Sequence, residues 1–162
     1  TDALTGINNR RAFFESATVI HQKALNLGME YALLVIDVDN FKCVNDSYGH
    51  LLGDQVLILL ANAIESITGP SHIIGRIGGD EFAILLPELS SREAKVRAEQ
   101  LSVCFIEKIN TLGILILKPT LSIGIEQYRY GDKDAKSVMT RADEALYSAK
   151  INGRGRIMLS TN

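Results

Sequence analysis

The apolar positions of the chain follow two spacings in turn, one typical of helices and one typical of strands. Apolar residues three and four apart predict helices over 11–27, 41–48, 91–112 and 134–151. They also predict a long helix that follows residues 50–54 and ends at residues 69–70. Apolar runs rich in branched residues predict strands over 31–38, 73–77, 82–86, 115–117, 119–127 and 156–159. The alternation predicts one α/β (α+β) domain, with a mostly antiparallel central sheet of about five strands wrapped by helices.

The strands predicted over 73–77 and 82–86 are separated by the tetrad Gly-Gly-Asp-Glu at 78–81, which predicts a β-hairpin. Because glycine tolerates left-handed backbone conformations, we expect such conformations in this turn, with two adjacent carboxylates on an exposed bend. An Asn-Gly pair would suffice for a simple turn. Two glycines followed by two acids therefore indicate a backbone that lets a cation, a phosphate, or both approach closely.

Composition and charge narrow the kind of partner that this domain binds. The chain has 162 residues and a formal net charge of −2, and 46% of its residues are hydrophobic. This length suits a single domain with a sizeable core, and the near-neutral charge predicts a small phosphate ligand and no nucleic acid. No apolar run approaches the roughly 20 residues of a membrane span. Cys43 and Cys104 lack a metal-ligand spacing, so we expect both to be reduced thiols.

Three acids are candidates for a shared site. Asp37 ends a predicted buried strand, while Asp80 and Glu81 occupy the hairpin turn. If these strands are neighbours, the three carboxylates converge, and they repel one another unless a cation neutralises them. Mg²⁺ commonly binds one or two carboxylates together with substrate phosphates, so the cluster indicates a metal and nucleotide site. The alternative is that the turn acids only solubilise the turn and that Asp37 pairs with Arg76 or a lysine.

Two segments are candidates for holding phosphate groups. Asn40, Phe41 and Lys42 follow the 31–38 strand directly and begin a helix, so free backbone N–H groups and one lysine are available there. Lys150 and Arg154 lie at and just beyond the end of the last helix. Their alternative explanation is the helix dipole, which by itself favours cations at a helix C-terminus.

By position alone, four further polar residues are best explained by local structural roles. The side chains of Asn45 and Asp54 can bind the donor edge and ring carbonyl of a purine, but by position alone each is better explained as a local cap. His50 is likewise better explained by a structural role. Asp39 precedes the 41–48 helix and is predicted to be its N-cap.

Residues 78–82 read Gly-Gly-Asp-Glu-Phe, and the chain resembles the GGDEF catalytic domain of bacterial diguanylate cyclases. The resemblance extends over essentially all 162 residues, because further motifs stand in the family's order at 2–10, 37–46, 48–54, 121–124 and 142–150. It implies a fold like the palm of nucleotidyl cyclases and polymerases, with the signature β-hairpin at the active edge. It also implies the reaction, in which two GTP condense into cyclic di-GMP and two pyrophosphates leave.

The resemblance also implies roles for particular residues. Mg²⁺, with Mn²⁺ as an alternative, is expected on the Asp37 and Asp80 side chains and the Val38 carbonyl, and Glu81 is expected to hold a second ion. Asp80 and Glu81 are the implied catalytic residues, with Asp80 activating the attacking hydroxyl. The implied substrate-binding residues are Asn40, Phe41, Lys42, Asn45, His50, Asp54, Gly78, Gly79, Lys150 and Arg154, among which Asn45 and Asp54 bind guanine.

The same resemblance yields expectations about assembly and regulation. Each domain holds one GTP, so two domains must meet as a homodimer through facing active sites. Gly69 and His72 replace the Arg-x-x-Asp motif of product-inhibited relatives, so we expect no product feedback there. The chain begins within a motif, which indicates a C-terminal or internal fragment with an upstream sensory or regulatory domain. We expect a cytoplasmic domain, with membrane anchoring of the full-length protein left open. The alternative function is a catalytically silent module that binds GTP or a protein.

Overall fold

The computed structural model describes residues 1–113 and 118–160, which form five helices and five strands. In chain order the elements are α1 (Arg10–Leu27), β1 (Tyr31–Val38), α2 (Phe41–Tyr48), α3 (His50–Ile67), β2 (Ile73–Arg76), β3 (Glu81–Pro87), α4 (Ser91–Asn110), β4 (Leu121–Gln127), α5 (Ala135–Ile151) and β5 (Ile157–Leu159). Each predicted element within these residues is present, and its ends lie within a few residues of the prediction. The strand expected over 115–117 lies outside the described residues.

The strands form one sheet in the order β2-β3-β1-β4-β5. The β2–β3, β3–β1 and β1–β4 pairs are antiparallel and the β4–β5 pair is parallel, so the prediction of a mostly antiparallel α/β sheet is confirmed. The end of the central strand β1 adjoins the beginnings of both β3 and β4. Asp37 accordingly stands opposite Glu81 on one side and opposite Ser122 on the other. The hairpin turn therefore lies beside the end of β1.

Helices cover both faces of the sheet and make β1 a rigid platform. Leu34 and Ile36 face a core shared with α3 and α4, while Leu33 and Val35 face a core shared with α1 and α5. All eight residues of β1 are buried, as a strand covered on both faces requires. Burying an aliphatic side chain of this size contributes roughly 1.5–3 kcal/mol, so the position of the strand end is well determined.

Helix α3 corrects the expectation that no segment approaches a membrane span. Within the described residues it is the one helix that is long and apolar enough to cross a membrane, judged by length and composition alone. Seven of its residues are buried, and Leu57, Leu60 and Ile64 belong to the core beneath the sheet. A helix that packs against both a sheet and α4 needs more than one apolar stripe, and this packing accounts for the apolarity of α3.

The helix ends follow the sequence prediction with one exception. Ser90 and Glu93 form a reciprocal capping box at the start of α4, and the backbone N–H of Gly28 closes α1. Asp39 is not the N-cap of α2, contrary to the prediction. The N-cap is Asn40, whose φ of 55° is left-handed and whose side chain makes no capping hydrogen bond. The carboxylate of Asp39 is directed to other partners, described below.

Candidate active site

The end of β1 brings Asp37 and Asp80 together. Asp37 is only 7% exposed, and the backbone N–H of the next residue, Val38, donates to the carbonyl oxygen of Asp80 over 3.4 Å. Asp37 Oδ2 accepts a hydrogen bond from Lys150 Nζ, so Asp37 pairs with a lysine, as one of the alternatives from the sequence predicts. Asp37 Oδ1 is buried and has no hydrogen-bond partner among the described residues. A buried acceptor with free lone pairs is costly unless a donor or a cation reaches it.

Burial and a like charge both act on the Asp37 carboxyl. Burial, followed by the adjacent Asp80 carboxyl, raises the pKa of Asp37 to about 7, while Lys150 opposes the rise. Burial disfavours the ionised form because it removes water, and a second carboxylate adds repulsion. The site therefore stabilises added positive charge at neutral pH.

We expect the Asp37→Asn variant to reduce the pH dependence of stability in the metal-free protein. The pKa of Asp37 is raised on folding, so the native state holds this proton at pH values where the unfolded chain has lost it. The contribution of Asp37 to the free energy of unfolding therefore falls from about pH 4 to pH 7. Urea denaturation in EDTA measures the free energy of unfolding at pH 5 and at pH 8. Its fall between these two pH values should be about 1–2 kcal/mol smaller in the variant than in the parent.

The control for this prediction is Glu144→Gln, which neutralises an exposed acid on α5 and should keep the parent's pH dependence. Lys150 loses its partner in Asp37→Asn, but its side chain is 34% exposed and can be hydrated. An identical loss of stability with pH in the parent and in Asp37→Asn would show that Asp37 titrates normally.

Glu81 lies beside this acidic pair and not within it. No group of three or more His, Cys, Asp or Glu side chains able to hold a metal occurs in the part of the chain that the structure describes. Burial and the charges of Asp143 and, less strongly, Asp80 raise the pKa of Glu81, while Lys150 and Arg10 lower it. The expected three-acid cluster is thus an Asp37 and Asp80 pair with Glu81 adjoining Asp143. The turn is exposed at Gly78 and Gly79, as predicted, but the two turn acids are only half-exposed.

The signature turn is held from the side by Arg76, a contact that sequence reasoning missed. The Arg76 guanidinium donates to the Gly79 carbonyl from Nε and Nη2, over 3.0 and 2.7 Å, and pairs with Asp2 over 3.2 Å. Arg76 is therefore the partner of Asp2 and not of Asp37.

The two turn glycines have no left-handed φ, contrary to expectation. An added Cβ would have only ordinary contact at Gly78, 3.6 Å from Glu81 Cβ, and would meet nothing within 4 Å at Gly79. Neither backbone strain nor internal packing therefore requires glycine here. The surface beside Asp80 is left open for the close approach of another molecule.

The expected phosphate-binding residues lie on two segments of the chain. Asn40 and Lys42 are exposed at the start of α2, and Phe41 is half-buried. Lys150 lies in the last turn of α5, and Arg154 follows in an exposed turn with a φ of 60°. A hydrogen bond of 2.9 Å from the Gly155 N–H to Asp39 Oδ2 joins the second segment to the first. The local sequence does not predict this contact, because the two residues are far apart in the chain.

The expected guanine-binding residues lie where α2 meets α3. An ideal Cβ on Gly53 would lie 1.8 Å from Asn45 Oδ1, so only glycine leaves room for this amide. Asp54 is the next residue and is half-buried, while His50 is exposed at the helix start. The N-cap of α3 is Gly49, so capping does not explain Asp54. The structure thus places Asn45 and Asp54 on adjoining helices.

Gly69 and His72, the positions at which the Arg-x-x-Asp motif of product-inhibited relatives is expected, form a local turn. The Gly69 N–H donates to His72 Nδ1 over 2.9 Å. Burial and the nearby charge of Arg97 lower the pKa of His72, so the ring is neutral at physiological pH. The turn offers neither the arginine nor the carboxylate of that motif. Elsewhere, Cys43 and Cys104 are both free thiols.

The fold of this chain is similar to that of GGDEF domains in solved structures. The crystal structure of the GGDEF domain of DgcB from Caulobacter crescentus in complex with c-di-GMP has a TM-score of 0.92 and 32% identity, covering 99% of this chain and 95% of that chain. The diguanylate cyclase SiaD in complex with its activator SiaC from Pseudomonas aeruginosa has a TM-score of 0.87 and 35% identity, covering 98% and 60%.

The family profile described as "Diguanylate cyclase, GGDEF domain" matches residues 1–156, and the chain belongs to this family. The diguanylate cyclase DgcM of Escherichia coli K12 is 38% identical over 157 residues. That match covers 97% of this chain but only 37% of the relative, so the chain spans less than two fifths of the relative's length.

Proposed function

We propose that this chain is a catalytic domain that condenses two GTP into cyclic di-GMP and releases two pyrophosphates. The observation that carries the proposal is the buried Asp37 carboxylate, which has one unpartnered oxygen and lies against Asp80, the acid that follows the two turn glycines. The relatives named diguanylate cyclases support the same function.

The acidic pair suits a hard divalent cation. The Asp37 and Asp80 carboxylates and the Val38 carbonyl would hold Mg²⁺, or Mn²⁺ in its place, and Glu81 would hold a second ion. The unpartnered Oδ1 of Asp37 fits such an ion, because oxygen ligands with free lone pairs are what Mg²⁺ prefers. When bound, the ion supplies charge neutralisation and polarises the reacting phosphate. In its absence, Lys150 partly neutralises Asp37.

The protein's own groups would orient the reactants. The backbone N–H groups at Asn40 and Phe41, with the Lys42, Lys150 and Arg154 side chains, would hold the triphosphate, and Asp80 would take up the proton of the attacking ribose 3′-hydroxyl. That oxygen forms a bond to the α-phosphorus of the other GTP, and the bond to pyrophosphate breaks. Positioning and charge stabilisation are expected to supply most of the rate enhancement.

We expect Asn45→Ala combined with Asp54→Ala to lower kcat/KM for GTP by about 10²-fold or more, with a much smaller effect on ATP. The proposed guanine site loses its discrimination when the groups that bind the base are removed. Steady-state rates with each nucleotide measure the difference. Asp46→Ala is the matched control, because Asp46 is exposed on the same helix. Equal losses for GTP and ATP would exclude guanine recognition by this pair.

The reaction needs two bound GTP, so we propose a homodimer through facing sites. The test is to incubate the purified domain with GTP and Mg²⁺ at increasing protein concentration. While dimers are scarce, doubling the protein should raise the initial rate of cyclic di-GMP formation about fourfold. A rate proportional to protein would contradict the dimer. Binding of GTP without any product would favour the alternative of a silent GTP-binding or protein-interaction module.

Regulation of this cytoplasmic activity is proposed to come from outside the domain. The turn at Gly69 and His72 lacks the groups of the Arg-x-x-Asp motif, so we expect no product feedback through it. SiaD acts with a protein activator, and an upstream sensory or regulatory region would serve the same purpose here by bringing two domains together.

A further inference from the structure

Asp39 is a buried carboxylate that directly precedes Asn40 and has no assigned part in the proposed reaction. It is 2% exposed, and its two oxygens accept three hydrogen bonds, from Thr120 Oγ1 and Ser122 Oγ, both over 2.6 Å, and from the Gly155 N–H over 2.9 Å. Its own N–H donates to the Thr120 carbonyl over 2.8 Å. Hydrogen bonds to a carboxylate are stronger than those between neutral groups, so Asp39 holds Thr120, Ser122 and Gly155 in place.

The donor of greatest interest is Gly155, because the turn around it is conformationally demanding. Gly153, Arg154 and Gly155 have φ values of 117°, 60° and 57°, three left-handed residues in succession. A left-handed φ is unfavourable for arginine and persists only when surrounding contacts impose it. The Arg154 N–H donates to the Ala149 carbonyl on one side, and the Gly155 N–H donates to Asp39 on the other.

Asp39 is also covalently joined to the other proposed phosphate-binding segment. It precedes Asn40, whose φ of 55° is likewise left-handed. One residue thus joins the Asn40 segment by the chain to the Arg154 turn by a buried hydrogen bond. We propose that Asp39 is a positioning residue that sets the Arg154 turn against the Asn40 segment, so that both reach the same triphosphate. This inference rests on the proposed function and deepens it.

The first test needs no activity. We expect trypsin to cleave the bond after Arg154 faster when the left-handed turn opens, and mass spectrometry measures the rate at that bond. Asp39→Ala should raise this rate about tenfold or more, because the Gly155 N–H loses a charge-assisted hydrogen bond. Ser122→Ala is the matched control, since it removes a donor to Asp39 but keeps the bond to Gly155. It should leave the cleavage rate near that of the parent.

The second test separates a role through Arg154 from a general loss of stability. Asp39→Ala should raise KM for GTP about tenfold and change kcat less, whereas Ser122→Ala should leave KM near that of the parent. In an Arg154→Ala background the same Asp39 change should alter KM by no more than about twofold, because the group it positions is gone. Asp39→Asn keeps a neutral acceptor oxygen and should fall between parent and Asp39→Ala. It replaces Asp39→Ala if that variant does not fold.

Several outcomes would overturn the inference. Unchanged trypsin cleavage in the Asp39 variants would show that the turn does not depend on this carboxylate. Action through Arg154 would be excluded if the fold-changes in KM of Asp39→Ala and Arg154→Ala simply multiplied in the double variant. It would also be excluded if Ser122→Ala raised KM as much as Asp39→Ala does. A parent domain that neither binds nor converts GTP would instead overturn the proposed function, and with it the substrate role of Asp39, whatever the trypsin result.

Discussion

Asp80→Asn should lower kcat for cyclic di-GMP formation by at least about 10³-fold while leaving the free energy of unfolding within about 1 kcal/mol of the parent. The substitution preserves shape but removes one of the two carboxylates expected to hold Mg²⁺ and the group expected to take the proton from the attacking hydroxyl. The contact between the Asp80 carbonyl and the Val38 N–H belongs to the backbone, so the fold keeps it. Single-turnover rates at saturating GTP and urea denaturation measure the two quantities.

The matched control for this prediction is Glu65→Gln, which neutralises an exposed acid on α3 outside the site. It should keep both activity and stability. The loss in Asp80→Asn should also persist at high Mg²⁺ concentration, because the missing group acts on the proton as well as on the metal. Near-parental turnover in Asp80→Asn would show that the acidic pair is not the catalytic centre.

Local sequence patterns predict the fold well because the elements that build it depend on near neighbours. The unbroken apolar run of β1 predicts a strand covered on both faces, and the Ser90 and Glu93 pair predicts a helix start. Predictions from local sequence fail where one sequence pattern has two different structural causes. The apolar length of α3 reflects packing against sheet and helix, and the two turn glycines reflect open space beside Asp80 and not a left-handed turn.

The candidate site is less predictable because its contacts join residues far apart in the chain. The hydrogen bond between Asp39 and Gly155 spans 116 residues, so the local sequence predicts Asp39 only as a cap of the nearest helix. Position alone likewise predicts caps at Asn45 and Asp54, and only the family resemblance implies guanine binding there. The contact between α2 and α3 at Gly53, which lies against Asn45, is a tertiary feature. Motif resemblance supplies candidate roles, and the structure supplies the contacts between the residues.

The packing of α5 on the sheet depends on Gly124 in β4. An ideal Cβ at this position would lie 2.1 Å from the Ala142 carbonyl oxygen and 2.4 Å from the Leu146 backbone N. Both are backbone atoms of α5, so no side-chain rotation can relieve the overlap. Any side chain larger than hydrogen must push the helix away from the strand, and with it Lys150, which contacts Asp37 at the site.

Gly124→Ala should therefore destabilise the domain by about 3 kcal/mol or more, at the upper end of the usual range for overpacking. For a domain of this size, that corresponds to a fall in Tm of roughly 10 °C, measurable by differential scanning calorimetry. Gly69→Ala is the matched control, because the nearest contact of its Cβ would be His72 Cε1 at 4.0 Å. It should shift stability by no more than about 1 kcal/mol. A parental Tm in Gly124→Ala would mean that α5 and the sheet can separate at little cost, and that Lys150 is not held at the site by this packing.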